Sequence, residues 1–295
     1  MAITAALVKE LRERSGAAMM DCKRALEAVD GDVDAALEKM RKDGQAKADK
    51  KAGRIAAEGV LALAATADSK AAVIVEYNCE TDFVAKGDEF QTLAASAAQV
   101  ALDAGITDPA ALLAAEANGQ SLDEARRNLI AKLGENMTLR RIVRLESANG
   151  VVASYLHGSR IGVLVALSGG DESLGRDLAM HVAASAPQYV SVEDVPAEER
   201  AKEKEILIAQ AEGSGKPAEI IEKMVEGRLR KHFGEITLLG QPFVKDPDTS
   251  VEKLLKAADA TVEGFVRIEV GEGIEKEEAN FADEVMAQAK QAMGS

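Results

Sequence analysis

One pattern occurs twice in this chain, and it limits the fold more than any other feature. Gly59-Val60-Leu61-Ala62 precedes the apolar run Ala72-Val73-Ile74-Val75-Glu76-Tyr77. A helical pattern follows over residues 88–104, with Phe90, Leu93, Ala97 and Val100 on one face. About ninety residues later, Gly150-Val151-Val152-Ala153 precedes Ile161-Gly162-Val163-Leu164-Val165-Ala166-Leu167, and a second helical pattern covers 172–186 with Leu174, Leu178 and Val182. Short apolar, β-branched runs bounded by turn residues fit strands better than helices. Each half also ends in a late strand, Leu139 to Leu145 and Phe265 to Val270. The doubled order predicts an α+β protein with two related subdomains, each a small sheet backed by helices.

Helical segments flank and interrupt this core. Residues 1–45 read as three short helices: Thr4 caps the first, which ends at Ser15-Gly16; Asp21 caps the second; Asp32 caps the third, which stops at Gly44. Met19-Met20 then falls in the first loop, either docking on a partner or plugging the bundle. The basic run from Lys47 to Arg54 reads as a solvated linker. Residues 193–233 read as a helical hairpin, with Pro196 in the first helical turn, Ile206 and Ala209 inward, and a second helix ending at Gly234. A tail helix carries Phe281, Val285 and Met286. The boundaries are 1–54 for the N-terminal helices and linker, 55–149 and 150–273 for the two core subdomains, and 274–295 for a C-terminal helical module.

Composition removes several functions. The formal net charge is −14, and residues 1–54 carry 12 Lys/Arg against 10 Asp/Glu, so the acidity lies in the remainder. Binding to a nucleic-acid backbone needs clustered Lys and Arg, and this balance opposes it. Cys22 and Cys79 have no metal-like spacing and read as free thiols of a reducing cytoplasm. The chain opens without a signal-peptide pattern, and no segment is apolar enough to span a membrane. Gly213-Ser214-Gly215-Lys216 fails as a phosphate loop, because Gln210 stands where the first glycine belongs and Pro217 where the magnesium-binding Ser/Thr belongs. Gly271-Glu272-Gly273 fails as a dinucleotide fingerprint, with Lys276 at its third glycine position. His157, His181 and His232 are isolated, so no catalytic, metal or cofactor residues are assigned.

The surviving candidate is Thr81-Asp82-Phe83-Val84, where a strand gives way to a loop before Lys86-Gly87-Asp88. Two readings stand on spacing alone. Phe83 is a core residue while Asp82 caps the next turn, the ordinary outcome for a Phe. Alternatively, Phe83 projects as a wedge with a carboxylate beside it, on a loop of the kind where function concentrates. His157 sits at a turn between two strands, as an exposed contact or an ordinary solvated side chain.

Six stretches in order resemble the bacterial elongation factor Ts family, over essentially the whole chain. They are the opening region from Thr4, with LVKELRERSGAAMMDCKRAL; Thr81-Asp82-Phe83-Val84; His157-Gly158-Ser159-Arg160-Ile161-Gly162-Val163-Leu164-Val165; Ser214-Gly215-Lys216-Pro217; Gly240-Gln241-Pro242-Phe243-Val244; and Val270-Gly271-Glu272-Gly273-Ile274-Glu275-Lys276. The resemblance implies a ubiquitin-associated-like N-terminal bundle, a coiled-coil-like hairpin and a C-terminal helix around the α+β core. It implies a guanine-nucleotide exchange factor, not an enzyme, acting on the GTPase elongation factor Tu. Asp82 and Phe83 would then lie near the magnesium side of the nucleotide pocket, which reverses the preference for a core Phe83. Arg12, Met19, Met20, Asp21 and Lys23 would dock; Lys51, His157 and Ile236 would be further contacts; the hairpin would pair copies in some members. The alternative is a peptide-binding adaptor built on the three N-terminal helices, which leaves Thr81–Val84 without a task.

Overall fold

The computed structural model describes residues 3–212 and 217–275. The expected tail helix with Phe281, Val285 and Met286, and the hairpin turn Gly213–Lys216, lie outside the described residues. No helix among the described residues is long and apolar enough to cross a membrane.

Three helices open the chain: α1 (Ala5–Ser15), α2 (Met19–Ala28) and α3 (Val33–Lys51). Thr4 Oγ1 accepts from the Leu7 N–H at 3.3 Å, and Gly16 ends α1 in the left-handed region at φ 65°. Val8, Leu11, Cys22, Ala25, Leu26 and Ala36 form a small buried core. The second helix starts three residues earlier than expected. Ala18 occupies the cap without a side-chain bond, and Asp21 lies in the first turn, paired with Arg24. Its charge suits the positive helix end from there. Met19-Met20 is therefore helical rather than in a loop.

The third helix also departs from expectation: it passes Gly44 and runs to Lys51. Gly44 is buried against a later helix, Leu122–Leu133, and a Cβ there would stand 3.3 Å from Ala131 Cβ. Arg41–Glu124 at 2.7 Å and Arg127–Asp49 at 2.8 Å flank this contact. The helical penalty of Gly, about 1 kcal/mol, is offset by the close approach it permits. Ala48 joins the main core, so the basic run is mostly a docked helix end rather than a solvated linker.

The first sheet takes β1 (Glu58–Ala65) and β2 (Ala71–Cys79) as a hairpin. Then come α4 (Asp82–Ala85), α5 (Asp88–Ala104), α6 (Pro109–Ala114), the short pair β3 (Glu116–Ala117) and β4 (Gln120–Ser121), and α7 (Leu122–Leu133). Strand β5 (Met137–Glu146) returns antiparallel to β2. The second sheet repeats this plan: β6 (Val151–His157) and β7 (Ile161–Ser168) form a hairpin, and α8 (Glu172–Ser185) packs on it. A 3-10 turn (Val192–Asp194), the hairpin α9 (Ala197–Glu212) and α10 (Ala218–Ile236), then β8 (Pro242–Phe243), β9 (Asp246–Ser250) and α11 (Val251–Ala257) intervene. Finally β10 (Thr261–Glu269) pairs with β7. The strand orders β1-β2-β5 and β6-β7-β10 match.

The two sheets pack on each other, so each central strand is covered on both faces. All nine residues of β2 are buried. With side chains alternating, Val73, Val75, Tyr77 and Cys79 share a core with Phe90, Leu93 and Ala94 of α5. Ala72 and Ile74 instead meet Leu61, Val152, Leu164, Ala166 and Ile268 between the sheets. Each such aliphatic side chain contributes about 1.5–3 kcal/mol. At Gly162 the sheets come so close that a Cβ would sit 3.0 Å from Ile74 Cδ1 and Leu61 Cδ1.

The same alternation drives Glu76 into the space between the sheets, with no exposed surface. Its carboxylate accepts from Gly271 N–H at 2.8 Å, Asn78 Nδ2 at 3.1 Å, Arg140 at 3.1 Å and Arg141. Desolvation pushes this carboxyl up. The Gly271 N–H, Arg141 and Asn78 outweigh it, so Glu76 titrates below its ordinary value of 4.5.

In the hairpin, Leu207 and Ala211 of α9 face Val225, Ile221 and Leu229 of α10. Ile206 and Ala209, expected inward, point out; the expected stripe was displaced around a weakly amphipathic helix. The second helix continues through Gly234 to Ile236. A Cβ on Gly240 would meet Gly234 Cα at 2.6 Å, so glycines at both positions let the following loop fold back here.

Candidate partner-binding site

The strand β2 ends at Cys79, and the chain turns at once into α4. Thr81 is its cap, with extended backbone and Oγ1 accepting from the Val84 N–H at 3.4 Å. Asp82, expected as a capping residue on one reading, lies inside the helix instead. Ala85 and Lys86 donate backbone N–H groups to the Thr81 and Asp82 carbonyls at 3.2 and 3.1 Å. Four residues are too few for a helix that stands alone. This one is held by its surroundings.

The phase of α4 decides what shows. Ala85 is buried and Val84 packs on the main core. That leaves Phe83 pointing outward, 84% exposed, while Asp82 is exposed beside it. Asp82 Oδ2 accepts from Lys86 Nζ at 2.6 Å, and this bond holds its carboxyl below the ordinary carboxylate range. The carboxylate is thus ionised near neutral pH. Under the turn, the Cys79 thiol donates to the Thr81 carbonyl at 3.2 Å. Burial, with the negative charge of Glu135 nearby, pushes that thiol up to about 12, so it stays a protonated donor.

Two residues with no role assigned from sequence, Glu135 and Glu80, brace this turn. Glu135 accepts from both the Thr81 N–H (3.0 Å) and the Thr81 hydroxyl (2.6 Å). Glu80 accepts from the Asn136 N–H at 2.5 Å and pairs with Arg54 at 2.7 Å. Gly134 ends α7 at φ 83°, so a turn at Gly134-Glu135-Asn136 was legible. Its bonds to residues more than fifty positions away were not.

The other candidates are spread over the surface. Met19 and Met20 are 58% and 64% exposed on the first turn of α2, with Lys23 on the same helix paired to Glu27 at 3.8 Å. Arg12 is exposed on α1. His157 is exposed at the β6–β7 turn, its Nδ1 3.2 Å from the Tyr155 hydroxyl. Ile236 is half-buried at the end of α10, and its carbonyl accepts from Gln188 N–H at 2.8 Å. Lys51 is committed internally, donating to the Gly134 carbonyl. The described residues contain no group of His, Cys, Asp and Glu arranged to hold a metal ion.

Fold and surface together define a three-helix-plus-α+β protein whose candidate site is an exposed aromatic on a braced turn, a feature suited to contact. Residues 80–272 match the family model described as elongation factor TS. The chain is 59% identical over 295 residues, all of both chains, to elongation factor Ts of Hydrogenovibrio crunogenus. It is 61% identical to elongation factor Ts of Alkalilimnicola ehrlichii over 290 residues, 98% of this chain and 99% of the relative. The factor of Methylococcus capsulatus is 61% identical over 291 residues, with the same coverage. This chain belongs to the elongation factor Ts family, the nucleotide exchange factors of translation elongation.

Proposed function

We propose that this protein binds the GTPase elongation factor Tu in its GDP-bound form and promotes GDP release, so that GTP can bind. The observation that carries this reading is Phe83, a large aromatic held almost wholly in solvent on a turn fixed by hydrogen bonds at its cap. GDP is held by magnesium and by backbone N–H groups around its phosphates. Phe83 enters an apolar crevice of the GTPase and shifts the elements that position the ion. The charged Asp82 acts beside the anionic site. The exchanger prefers the nucleotide-free GTPase, and the coupling is reciprocal: nucleotide weakens exchanger binding by the same factor. No bond in the nucleotide is made or broken.

Arg12, Met19, Met20, Asp21 and Lys23 dock the N-terminal helices on the GTPase, and His157, at the end of β6, and Ile236, at the end of α10, add contacts from the second subdomain. Lys51 acts through the Gly134 carbonyl rather than on the partner. Ile206 and Ile220, exposed on the hairpin, support its assignment to pairing between copies. The test is release of a fluorescent GDP analogue from purified elongation factor Tu, with excess unlabelled GDP, as this protein is titrated in. Saturable acceleration is expected. No acceleration by the folded protein overturns the exchange reading and favours the peptide-binding adaptor.

A further inference from the structure

The turn Gly134–Asn136 holds two distant parts of the chain at once. On one side, Gly134 O accepts from Lys51 Nζ at the end of α3, and Asn136 Nδ2 donates to the carbonyls of Arg54 (2.7 Å) and Ala52 (3.4 Å). On the other side, Asn136 N–H donates to Glu80, and Glu135 takes both polar hydrogens of Thr81. Thr81 is the cap of α4, and Phe83 is the second residue of that helix. At 84% exposure Phe83 has little packing to aim it. Its direction is set by the α4 backbone, which Thr81 anchors at its start and the packing of Val84 and Ala85 holds at its end.

We infer that Glu135 is a positioning residue for nucleotide exchange: by locking Thr81 it aims Phe83, and through its turn it holds that aromatic in fixed relation to the N-terminal bundle. This rests on the exchange reading above. The physical advantage is preorganisation. A side chain already ordered in its bound direction loses less entropy on docking, and a contact group left loose by an ångström acts poorly. Glu135 touches Thr81 within its own chain, so its loss affects the geometry of the engaged complex more than encounter through the bundle.

The test compares wild type, Glu135→Ala, Glu135→Gln, Phe83→Ala and the Glu135→Ala/Phe83→Ala double variant in stimulated GDP release. Glu135→Ala is expected to lower the maximal stimulated rate about fivefold, with the half-saturating concentration within about twofold of wild type. Glu135→Gln, which keeps one acceptor oxygen, recovers part of the rate. In the Phe83→Ala background the alanine at 135 has no further effect. Independently of activity, amide hydrogen exchange at Ala85, Lys86 and Gly87 speeds up in free Glu135→Ala. Should Glu135→Ala fail to fold, Thr81→Val removes the hydroxyl's bond to Glu135 together with its cap bond to the Val84 N–H, keeps the Thr81 N–H bond to Glu135, and is held to the same expectations. Failure of the wild type to stimulate release overturns the exchange reading and this role with it. A stimulating wild type with an equally active Glu135→Ala, or the same rate loss with and without Phe83, overturns the positioning role alone.

Discussion

Phe83 and Glu76 lie on consecutive elements and have opposite fates. Phe83 supports no core, so Phe83→Ala leaves the thermal unfolding midpoint unchanged. Losing an aromatic hot spot worth about 2 kcal/mol slows stimulated GDP release more than tenfold. A wild-type rate in the folded variant rejects the wedge. Glu76 is buried between the sheets with two arginines and the Gly271 N–H on its carboxylate. Glu76→Ala leaves those donors unpaired and costs about 3 kcal/mol or more, measured by urea unfolding. Its folded value is depressed, so the unfolded chain binds the proton more readily. The stability it supplies is present above pH 4.5 and is lost as pH falls through the lower folded value. That acid loss should be absent from Glu76→Gln. The strand over 72–77 was legible from its β-branched run, but Glu76 was only a member of it. Which face it occupies, and that a second sheet covers that face, is tertiary information. Phe83 was ambiguous for the same reason: a one-position change in the phase of α4 would exchange it with Val84.

At the scale of elements, termini written in local chemistry were readable. Thr4 and Asp32 cap α1 and α3 as their side chains suggest. Gly44 marks where that logic fails, because a Gly inside a helix is also what close helix packing needs. Gly44→Leu should push α3 from α7 and lower stability by about 1–3 kcal/mol in thermal or urea unfolding. Gly44→Ala should be near neutral, since helix propensity gained opposes the 3.3 Å contact with Ala131. The docking of α8 depends on a buried imidazole. His181 Nδ1 accepts from Val244 N–H at 3.2 Å, so Nε2 carries the proton toward Gln241 Oε1 at 2.9 Å. Burial lowers the His181 value, outweighing the Gln241 bond. Below pH 6.5 the unfolded chain takes up a proton that the folded one resists, so stability declines from there toward the lower folded value. His181→Gln should flatten that part of a pH–stability profile.

For the whole molecule, the position of the N-terminal boundary has a measurable consequence. The second half of α3 belongs to the core: Ala48 is buried there, and Lys51, with the Arg54 carbonyl just past the helix end, bonds the turn that braces Thr81. Removing residues 1–40 should leave a core near full stability that docks weakly. Removing 1–54 should cost a further 2 kcal/mol or more, about the worth of the lost packing and charged hydrogen bonds. Equal unfolding midpoints for the two truncations reject this division. The sequence by itself determined the α+β class, the doubled strand-strand-helix-strand order, the caps of α1 and α3 and the candidate turn, because each rests on periodicity or on chemistry within a few residues. Only the tertiary structure decided that the two sheets share a core, that α3 continues past Gly44, that Glu76 is buried and that Glu135 holds Thr81. Those outcomes depend on surfaces meeting across fifty to two hundred residues, and a local pattern carries no record of which surface will cover it.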